Sequence, residues 1–274
     1  MVDFRLASAF RPTLLVKNGS FELPDDWEES NFRLELENYK NIIENVLPSV
    51  GRINLSNSDL TTVGTCWLIA DDVVVTNAHV AKLFSEISTN GFNFKGRIRA
   101  NVDFKAEYFS SEKNTFEVTD IIYVNSRYTE LTDLAFLKID KKGKDENDNS
   151  ITLSAKPLKL IQNDINIEDI VVTIGFPITE GYTDTKTIRL IKQYFEFPTN
   201  SSKRKRIAPG SLLGVDRNQF SHDCSTLRGN SGSPIIKLNT GEVIGTHSEG
   251  TSDRNQFNSF IASEFVLDYY KRYA

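Results

Sequence analysis

The chain has 274 residues, a net charge of −5 and a pI near 5.4, so nucleic acid is not expected to be its main partner. Hydrophobic residues make up 39% and charged residues 25%, a composition ordinary for a globular protein with a sizeable core. No apolar run approaches the ~20 residues that span a bilayer, and the first residues lack the long apolar stretch of a secretion signal. We therefore predict no membrane partner.

Residues 1–47 are predicted to form an extension that contains one helix. Residues 11–16 predict a short strand, with Asn18 and Gly19 as a turn. A helix is predicted over residues 25–47, where Asp25 and Glu28 resemble a capping box and Pro48 marks the stop. Its apolar stripe either packs on the rest of the molecule or docks a partner protein or a further domain. The stripe consists of Phe32, Leu36, Tyr39, Ile43 and Val46.

From Val50 onward, short β-rich segments alternate with turn residues, a pattern typical of an all-β barrel protein. Two sets of about six strands are predicted, with a polar linker over residues 140–150 between them. The first barrel is placed at about 48–140, the second at about 151–262, and a helix capped by Ser263 at about 264–273. The predicted strands are 50–55, 62–69, 73–76, 96–104, 116–124, 134–139, 151–160, 170–176, 186–197, 207–215, 234–238 and 242–247.

Three further features bear on the compartment, on cofactors and on partners. Cys66 and Cys224, the two cysteines, are predicted to be buried thiols, which favours a reducing compartment and hence the cytoplasm. No Cys/His spacing is typical of a zinc site, so no metal or cofactor is predicted.

Residues 203–206 form a dense basic run, which can bind nucleic acid or act as a cleavage site. In an acidic chain, between two predicted strands, we interpret it as a solvated loop.

The most informative stretch is 229–234, where glycines flank Ser231 on both sides. Glycines permit a sharp turn that exposes the hydroxyl and can aim neighbouring N–H groups at one point, as an oxyanion hole requires. Alone this run is weak, because ordinary β-turns use the same residues. Upstream, however, residues 76–79 end in His79 after an apolar run, and residues 132–135 carry Asp133 at the start of another.

Together these motifs resemble the trypsin-like (chymotrypsin-fold) serine endopeptidases over roughly residues 48–274. The resemblance implies an all-β fold of two Greek-key β-barrels, here with an N-terminal helical extension and a C-terminal helix. It also implies hydrolysis of protein or peptide substrates through an acyl-enzyme, without a cofactor. The matching stretches are 64–69, 74–79, 132–137, 223–231 and 245–250.

The resemblance assigns Ser231 as the nucleophile, His79 as its base and Asp133 as the group that orients the imidazole. The N–H groups of Gly229 and Ser231 would form the oxyanion hole. The alternative for His79 alone is a buried structural histidine at the end of a strand, and the alternative for Asp133 alone is a turn carboxylate. Neither reading explains all three residues in family order.

Three neighbouring positions receive different interpretations. Ser248 matches a family position that supports the triad aspartate, although an ordinary strand serine fits almost as well. His222 matches no catalytic position and is interpreted as a loop residue. Asn230 replaces the aspartate that, in many members, pairs with a newly cut N-terminus, so activation by N-terminal clipping is not expected.

The specificity positions favour an acidic substrate. Ser225 stands where basic-specific members carry an acidic residue, so selection for Lys or Arg is not expected. Thr226 and His247 match the positions with which the glutamyl endopeptidases of this family bind a substrate carboxylate, and Arg228 adds a positive field at the pocket mouth. Cleavage after Glu is therefore predicted; the alternative is that His247 only packs between strands and leaves a small apolar pocket. The predicted substrate-binding residues are Ser225, Thr226, Arg228, His247, Ser248 and Gly250.

Two other functions stay open at this point. One is a catalytically silent protease-fold module that binds a partner through its cleft or its N-terminal helix, against which the intact triad argues. The other is the protease domain of a larger signalling or defence protein with specificity for small apolar residues.

Overall fold

A computed structural model describes most of the chain. The model describes only the backbone of residues 4, 5, 31, 215, 216, 219, 249 and 250. The described ranges are 4–5, 12–23, 31–89, 91–125, 132–161, 164–195, 201–216, 219–250 and 258–274.

The N-terminal extension contributes strands to the second barrel as well as helices. β2 pairs with a strand of that barrel, and a turn at Asn18 and Gly19, both with positive φ, joins β2 to β3. The elements are β1 (Phe4–Arg5), β2 (Leu14–Lys17), β3 (Ser20–Phe21), α1 (Asn31–Asn38) and α2 (Lys40–Val46).

The prediction of one continuous helix over residues 25–47 is wrong within the described residues. The chain leaves helical geometry at Tyr39 (φ −105°, ψ 16°), and the predicted capping box lies outside the described residues. The apolar stripe packs within the molecule, because Leu36, Ile43 and Val46 are buried in a core that also contains Trp67. This agrees with the packing alternative rather than with a docking face.

The first barrel is a closed antiparallel sheet of six strands, in the order β11-β6-β5-β4-β9-β10, with β10 pairing back to β11. β12 and β13 extend this sheet, and β7 and β8 form a separate hairpin. The elements are β4 (Val50–Ser56), β5 (Thr62–Ala70), β6 (Val73–Thr76), α3 (Ala78–Ala81), β7 (Ser85–Ser88), β8 (Gly91–Phe94), β9 (Arg99–Asp103), β10 (Thr115–Val124), β11 (Ala135–Ile139), β12 (Lys142–Lys144) and β13 (Ser150–Thr152).

The second barrel closes in the same way, in the order β14-β18-β19-β20-β16-β15, with β14 pairing back to β15. Both barrels are antiparallel and a helix follows the second, so the predicted all-β fold is confirmed. The elements are β14 (Ile170–Gly175), α4 (Thr185–Phe195), β15 (Arg206–Asp216), β16 (Gln219–His222), β17 (Thr226–Leu227), β18 (Pro234–Lys237), β19 (Val243–Gly250), β20 (Asn258–Ala262) and α5 (Ser263–Tyr273).

Each barrel has its own core, and a third core lies between them. This shared core joins Trp67 and Val75 of the first barrel to Val172 and Ile236 of the second, with Leu36 from the extension. Fully burying an apolar side chain contributes about 1.5–3 kcal/mol, so the shared core holds the two barrels in a fixed relation. The loops that end at the junction can therefore present their side chains to one site.

The predicted strand over 186–197 is wrong, because residues 185–195 form the helix α4. Ile188, Ile191 and Phe195 follow helical spacing, and Ile191 and Phe195 are buried. The carboxylate of Asp184 accepts a hydrogen bond from the N–H of Thr187 at 2.7 Å, which satisfies a free donor of the first turn.

The predicted polar linker and its following strand also differ from the structure. Residues 142–152 form the β12–β13 hairpin, in which the Asp145 carboxylate accepts from the N–H groups of Asn147 and Asn149. A side chain that bonds to the backbone of its own turn favours such a reversal. Strand structure ends at Thr152, well before residue 160.

The basic run over 203–206 is not a solvated loop, because Lys205 and Arg206 are buried. Lys205 Nζ donates to the carbonyl oxygens of Leu47 at 2.8 Å and Phe104 at 2.7 Å, and burial lowers the pKa of this amine to about 8. Arg206 donates to the carbonyl oxygens of Thr13 and Phe195 and to the hydroxyl of Ser201. These two cations join the extension to both barrels.

The C-terminal helix lies where predicted, but Ser263 does not cap it. Ser263 is the first helical residue, and its buried hydroxyl donates to the carbonyl of Ile161 at 2.6 Å. None of the helices among the described residues has the length and apolar character needed to cross a membrane.

Candidate active site

His79 and Asp133 are brought together by strand pairing. His79 lies in the short helix α3 directly after β6, and Asp133 lies just before β11. β6 and β11 are antiparallel neighbours, with Thr76 opposite Ala135. The end of one strand therefore lies beside the start of the other, and both side chains reach the barrel junction.

The two side chains form a tight, directional pair. His79 Nδ1 lies 2.6 Å from Asp133 Oδ2, and the backbone N–H of His79 donates to Asp133 Oδ1 at 2.9 Å. Asp133 is buried, and burial alone would raise the pKa of its carboxyl, but the hydrogen bonds and charge of His79 lower that pKa below its usual value. An ionised carboxylate accepts a hydrogen bond from Nδ1–H of His79, so the lone pair of the neutral imidazole lies on Nε2.

Further residues hold Asp133 in place. Ser248 Oγ donates to Asp133 Oδ2 at 3.2 Å, as the family position of Ser248 suggests. The side-chain amide of Asn77 donates to the backbone carbonyl of Asp133 at 3.0 Å. The carboxylate and its own peptide are thus both fixed, so the imidazole has one preferred orientation.

Ser231 faces the same cleft as His79. The cleft has a volume of about 580 Å³, and its lining includes His79, Ser231 and Ser248 together with Gly229 and Arg228.

The peptide groups before Ser231 are oriented by bonds to their carbonyl oxygens. The carbonyl of Arg228 accepts from the N–H of Ile178 at 2.7 Å, and the carbonyl of Asn230 accepts from the N–H of Ser233 at 2.9 Å. In a trans peptide the N–H points away from the carbonyl, so the N–H groups of Gly229 and Ser231 point away from these partners. No hydrogen bond within the described chain uses either N–H, so both are uncommitted donors.

Two glycines permit this loop conformation. Gly229 and Gly232 have φ values of +93° and +87°, which favour glycine. A Cβ at Gly229 would collide with the carbonyl oxygen of Phe176, and one at Gly232 with the carbonyl oxygen of Thr65. Thr65 also donates from Oγ1 to the carbonyl of Gly229 at 2.7 Å, a contact between the barrels that sequence analysis missed.

The predicted specificity residues are only partly assembled at the cleft surface. Arg228 is exposed, lies 4.8 Å over the ring of Tyr182 and lines the cleft. Ser225 and Thr226 are buried, and the hydroxyl of Thr226 already donates to Asn258 Oδ1 at 2.9 Å. Gly250, at the end of β19, is paired with Asn258.

His247 is fully buried and does not line the cleft, and its backbone is bonded to the loop that carries Ser231. The carbonyl of His247 accepts from the N–H of Gly232 at 3.0 Å, and its N–H donates to the carbonyl of Ser233 at 2.8 Å. Burial, with a smaller effect of nearby His79, lowers the pKa of His247 to about 3. Its Nε2 has no hydrogen-bond partner among the described residues, and such an atom is costly to bury.

His222 is a strand residue, so its interpretation as a loop residue is wrong. It ends β16, is fully buried, and its Nε2 lies 3.3 Å from His247 Nδ1. Burial, and then the neighbouring His247, hold the pKa of His222 well below its usual value. The alternation of Phe220, Ser221 and His222 carried the signal, since residues two apart share one face of a strand.

The described residues contain no cluster of three His, Cys, Asp or Glu side chains arranged for a metal ion. Cys66 and Cys224 are both buried as thiols, and burial raises the pKa of Cys66 above its usual range. Neither thiol lines the described cleft. The chemistry available there belongs to the serine, the imidazole, the carboxylate and the backbone N–H groups.

Comparison with known proteins finds one matching family model. The family model of the trypsin-like peptidase domain matches residues 64–245, about two thirds of the chain. A comparison with curated proteins finds no match.

Several solved structures share the fold at low sequence identity. The serine endoprotease from Yersinia pestis has 16% identity and a TM-score of 0.56, with 92% of this chain and 67% of that chain covered. Deg5 has 20% identity and a TM-score of 0.55, with 88% and 94% covered. The Rv3671c protease from M. tuberculosis in its active form has 18% identity and a TM-score of 0.54, with 85% and 84% covered.

Proposed function

The chain belongs to the family of trypsin-like peptidase domains and is a serine endopeptidase, and on that premise we propose that Ser231 is its nucleophile. The observation that carries the proposal is the 2.6 Å contact between His79 Nδ1 and Asp133 Oδ2, with Ser231 in the same cleft. A serine hydroxyl is a weak nucleophile without an adjacent base. The pairing with Asp133 leaves His79 Nε2 ready to act as that base.

In this mechanism Ser231 Oγ attacks the scissile carbonyl carbon while its proton moves to His79 Nε2. The resulting imidazolium is stabilised by Asp133 and returns the proton to the leaving amine, so that the C–N bond breaks and an acyl-enzyme remains. A water molecule, deprotonated by His79, then attacks the ester and releases the acid product and the serine. No cofactor takes part in these steps.

The N–H groups of Gly229 and Ser231 are proposed to bind the oxyanion of each tetrahedral intermediate. Two features support this role: the carbonyl groups beside these N–H groups are held by Ile178 and Ser233, and the N–H groups themselves are uncommitted within the described chain. One such donor contributes roughly 10²–10³ in rate.

Labelling with a fluorophosphonate tests the catalytic proposal. We expect stoichiometric labelling of the wild-type protein at Ser231, located by peptide mass spectrometry, and none of Ser231→Ala. Wild-type protein that is folded but unlabelled would support the competing proposal of a catalytically silent module that binds a partner through its cleft.

We further propose that the enzyme cleaves after Glu and that His247 binds the substrate carboxylate. Nε2 of His247 is a buried polar atom without a partner, and a carboxylate oxygen would satisfy it. The hydroxyl of Thr226 is committed to Asn258, so in this proposal His247 is the principal donor to the carboxylate. The absence of an acidic side chain at Ser225, and the positive charge of Arg228 at the rim, also favour an acidic substrate residue.

Matched peptides that differ at one atom test this specificity. Peptides with Glu and Gln before the scissile bond have nearly the same shape, but only Glu carries a charge. We expect a higher kcat/KM for Glu than for Gln, with Asp a poorer substrate than Glu. Equal values for Glu and Gln, or a preference for small apolar residues, would contradict the carboxylate site.

The compartment is also a proposal. Both cysteines are buried as thiols, which favours a reducing environment such as the cytoplasm. Expression in the cytoplasm and in an oxidising compartment, followed by thiol titration of the unfolded protein, would test whether two reduced thiols persist.

A further inference from the structure

His222 and His247 face each other across one strand of the second barrel. β16 and β19 both pair with β20, where Phe220 and His247 lie opposite Phe260, and His222 lies opposite Asn258. Residues 258 and 260 are two apart and therefore share a face of the sheet. The two histidines lie on this same inner face, behind the nucleophile loop.

The hydrogen-bond direction in this pair is fixed by the backbone. The N–H of Cys224 donates to His222 Nδ1 at 3.2 Å. A backbone N–H can only donate, so Nδ1 of His222 must carry a lone pair. The ring is neutral because burial opposes its protonation, and its one proton must therefore be on Nε2.

The same argument passes to the second ring. His222 Nε2 lies 3.3 Å from His247 Nδ1 and has a proton to donate, so Nδ1 of His247 is the acceptor. His247 is also neutral at neutral pH, since burial lowers its pKa to about 3. Its proton is consequently on Nε2, the atom without a partner.

We propose that His222 is a positioning residue that fixes the tautomer of His247 and so presents an N–H donor to the carboxylate of the substrate. This inference rests on the proposed preference for Glu. With the opposite tautomer, His247 would present a lone pair at Nε2, and that lone pair would repel a carboxylate. Specificity for an acidic residue would then depend on a residue that does not touch the substrate.

The hydrogen-bonded chain from the N–H of Cys224 through His222 to His247, which we call the relay, is held in place at both ends. The amide of Asn258 donates to the carbonyl of Cys224 at 2.6 Å, which holds the peptide chain that carries the fixed N–H. At the other end, the backbone of His247 is bonded to Gly232 and Ser233 beside the nucleophile. The N–H of Cys224 therefore determines which nitrogen of His247 carries the proton, and the backbone bonds of His247 fix its position relative to Ser231.

Nitrogen NMR of the intact protein tests the relay without reference to activity. The chain has 3 histidines, so the two-bond and three-bond ¹⁵N–¹H correlations can be assigned with His222→Gln and His247→Gln variants. We expect the Nε2–H tautomer for both His222 and His247 at neutral pH. A proton on Nδ1 of either ring would overturn the relay.

A matched pair of variants then tests the effect on specificity. Gln and Met have similar shapes, but only Gln keeps an N–H near the position of His222 Nε2. We expect His222→Met to lower kcat/KM for a Glu peptide about tenfold or more, mainly through KM, as one lost hydrogen bond to a charged group would. His222→Gln should stay within about threefold of wild type. Fluorophosphonate labelling of each variant checks that it is folded.

Equal impairment of the Gln and Met variants would show a purely structural role and overturn the inference. Failure of the proposed function gives a different result. In that case the tautomers would be as stated, the wild-type enzyme would not distinguish Glu from Gln peptides, and the carboxylate site rather than the hydrogen-bond chain would be refuted.

Discussion

His79 and His247 carry the same side chain in opposite environments, although both lie close to Ser231. The side chain of His79 is 37% exposed and is bonded to the carboxylate of Asp133, whereas His247 is 0% exposed and bonded to another histidine. A carboxylate partner stabilises an imidazolium. A neutral, buried imidazole partner does not, and burial further opposes the charge.

The difference assigns the two rings different tasks. In the proposed mechanism His79 accepts and returns a proton, and Asp133 stabilises the charge that its ring then carries. His247 stays neutral because burial lowers its pKa to about 3, and in the proposed site it is a fixed donor to the substrate carboxylate. The partner and the burial, rather than the residue type, decide between proton transfer and recognition.

Substitution of His79 or Asp133, the pair that can carry charge, should have the largest effect on activity. His79→Ala is expected to lower kcat by about 10⁴ or more, because nucleophile and base act as a unit. Asp133→Asn should cost about 10⁴, since an amide stabilises the wrong tautomer of His79. Steady-state kinetics with a Glu peptide measures both, with circular dichroism as the check on folding. A loss of less than tenfold in either variant would refute the triad.

Substitution of the neutral His247 should change the selectivity for Glu over Gln more than it changes kcat. His247→Ala is expected to lower kcat/KM for a Glu peptide about ten- to a hundredfold, the effect of one lost hydrogen bond to a charged group. His247→Gln keeps an N–H donor and should retain part of the preference. Competition between Glu and Gln peptides measures the change, and an unaltered ratio in His247→Ala would remove His247 from the pocket.

The buried pair should also make the protein sensitive to acid. The folded-state pKa values of His222 and His247 lie below the unfolded value of 6.5, so the unfolded chain binds more protons between about pH 6.5 and pH 3. Stability is therefore fully present above about pH 6.5 and falls as the pH decreases through this window. We expect the urea midpoint to drop from pH 7 to pH 5, and to drop less in a His222→Gln, His247→Gln double variant. An equal drop in both proteins would place the acid sensitivity elsewhere.

The smallest expected effect belongs to Ser248. Its hydroxyl gives Asp133 one of several hydrogen bonds, and the two from His79 remain without it. Ser248→Ala should therefore lower kcat by less than tenfold, with Ser248→Thr closer to wild type because the hydroxyl is kept. A loss as large as that of Asp133→Asn would mean that Ser248 is essential for the orientation of the carboxylate.

Much of the fold was predictable because period-two alternation and turn residues are local signals. The same local reading failed for α4, where Ile188, Ile191 and Phe195 have helical spacing and Asp184 caps the first turn. Both signals were present, but the β-rich surroundings favoured a strand. Lys205 was not predictable in this way, because its partners are backbone carbonyls of residues 47 and 104, far away in sequence.

In the candidate site, too, the features with a local sequence pattern were predicted, and the contacts between residues far apart in sequence were not. The order of His79, Asp133 and Ser231 could be recognised in the sequence as the pattern of a known family. Strand pairing brings the first two residues together. The connection between His222 and His247 depends on β20, a strand absent from the sequence-based prediction. The contact between Thr226 and Asn258, 32 residues apart, has no local signature at all.

The central claim, a Ser231 peptidase that recognises an acidic side chain, is tested most directly by a cleavage profile. The wild-type protein and Ser231→Ala are incubated with a diverse peptide library, and the new termini are identified by mass spectrometry. The account predicts cleavage predominantly after Glu, less after Asp, and no cleavage by Ser231→Ala. Efficient cleavage after Lys, Arg or Leu with none after Glu, or cleavage that persists in Ser231→Ala, would contradict it.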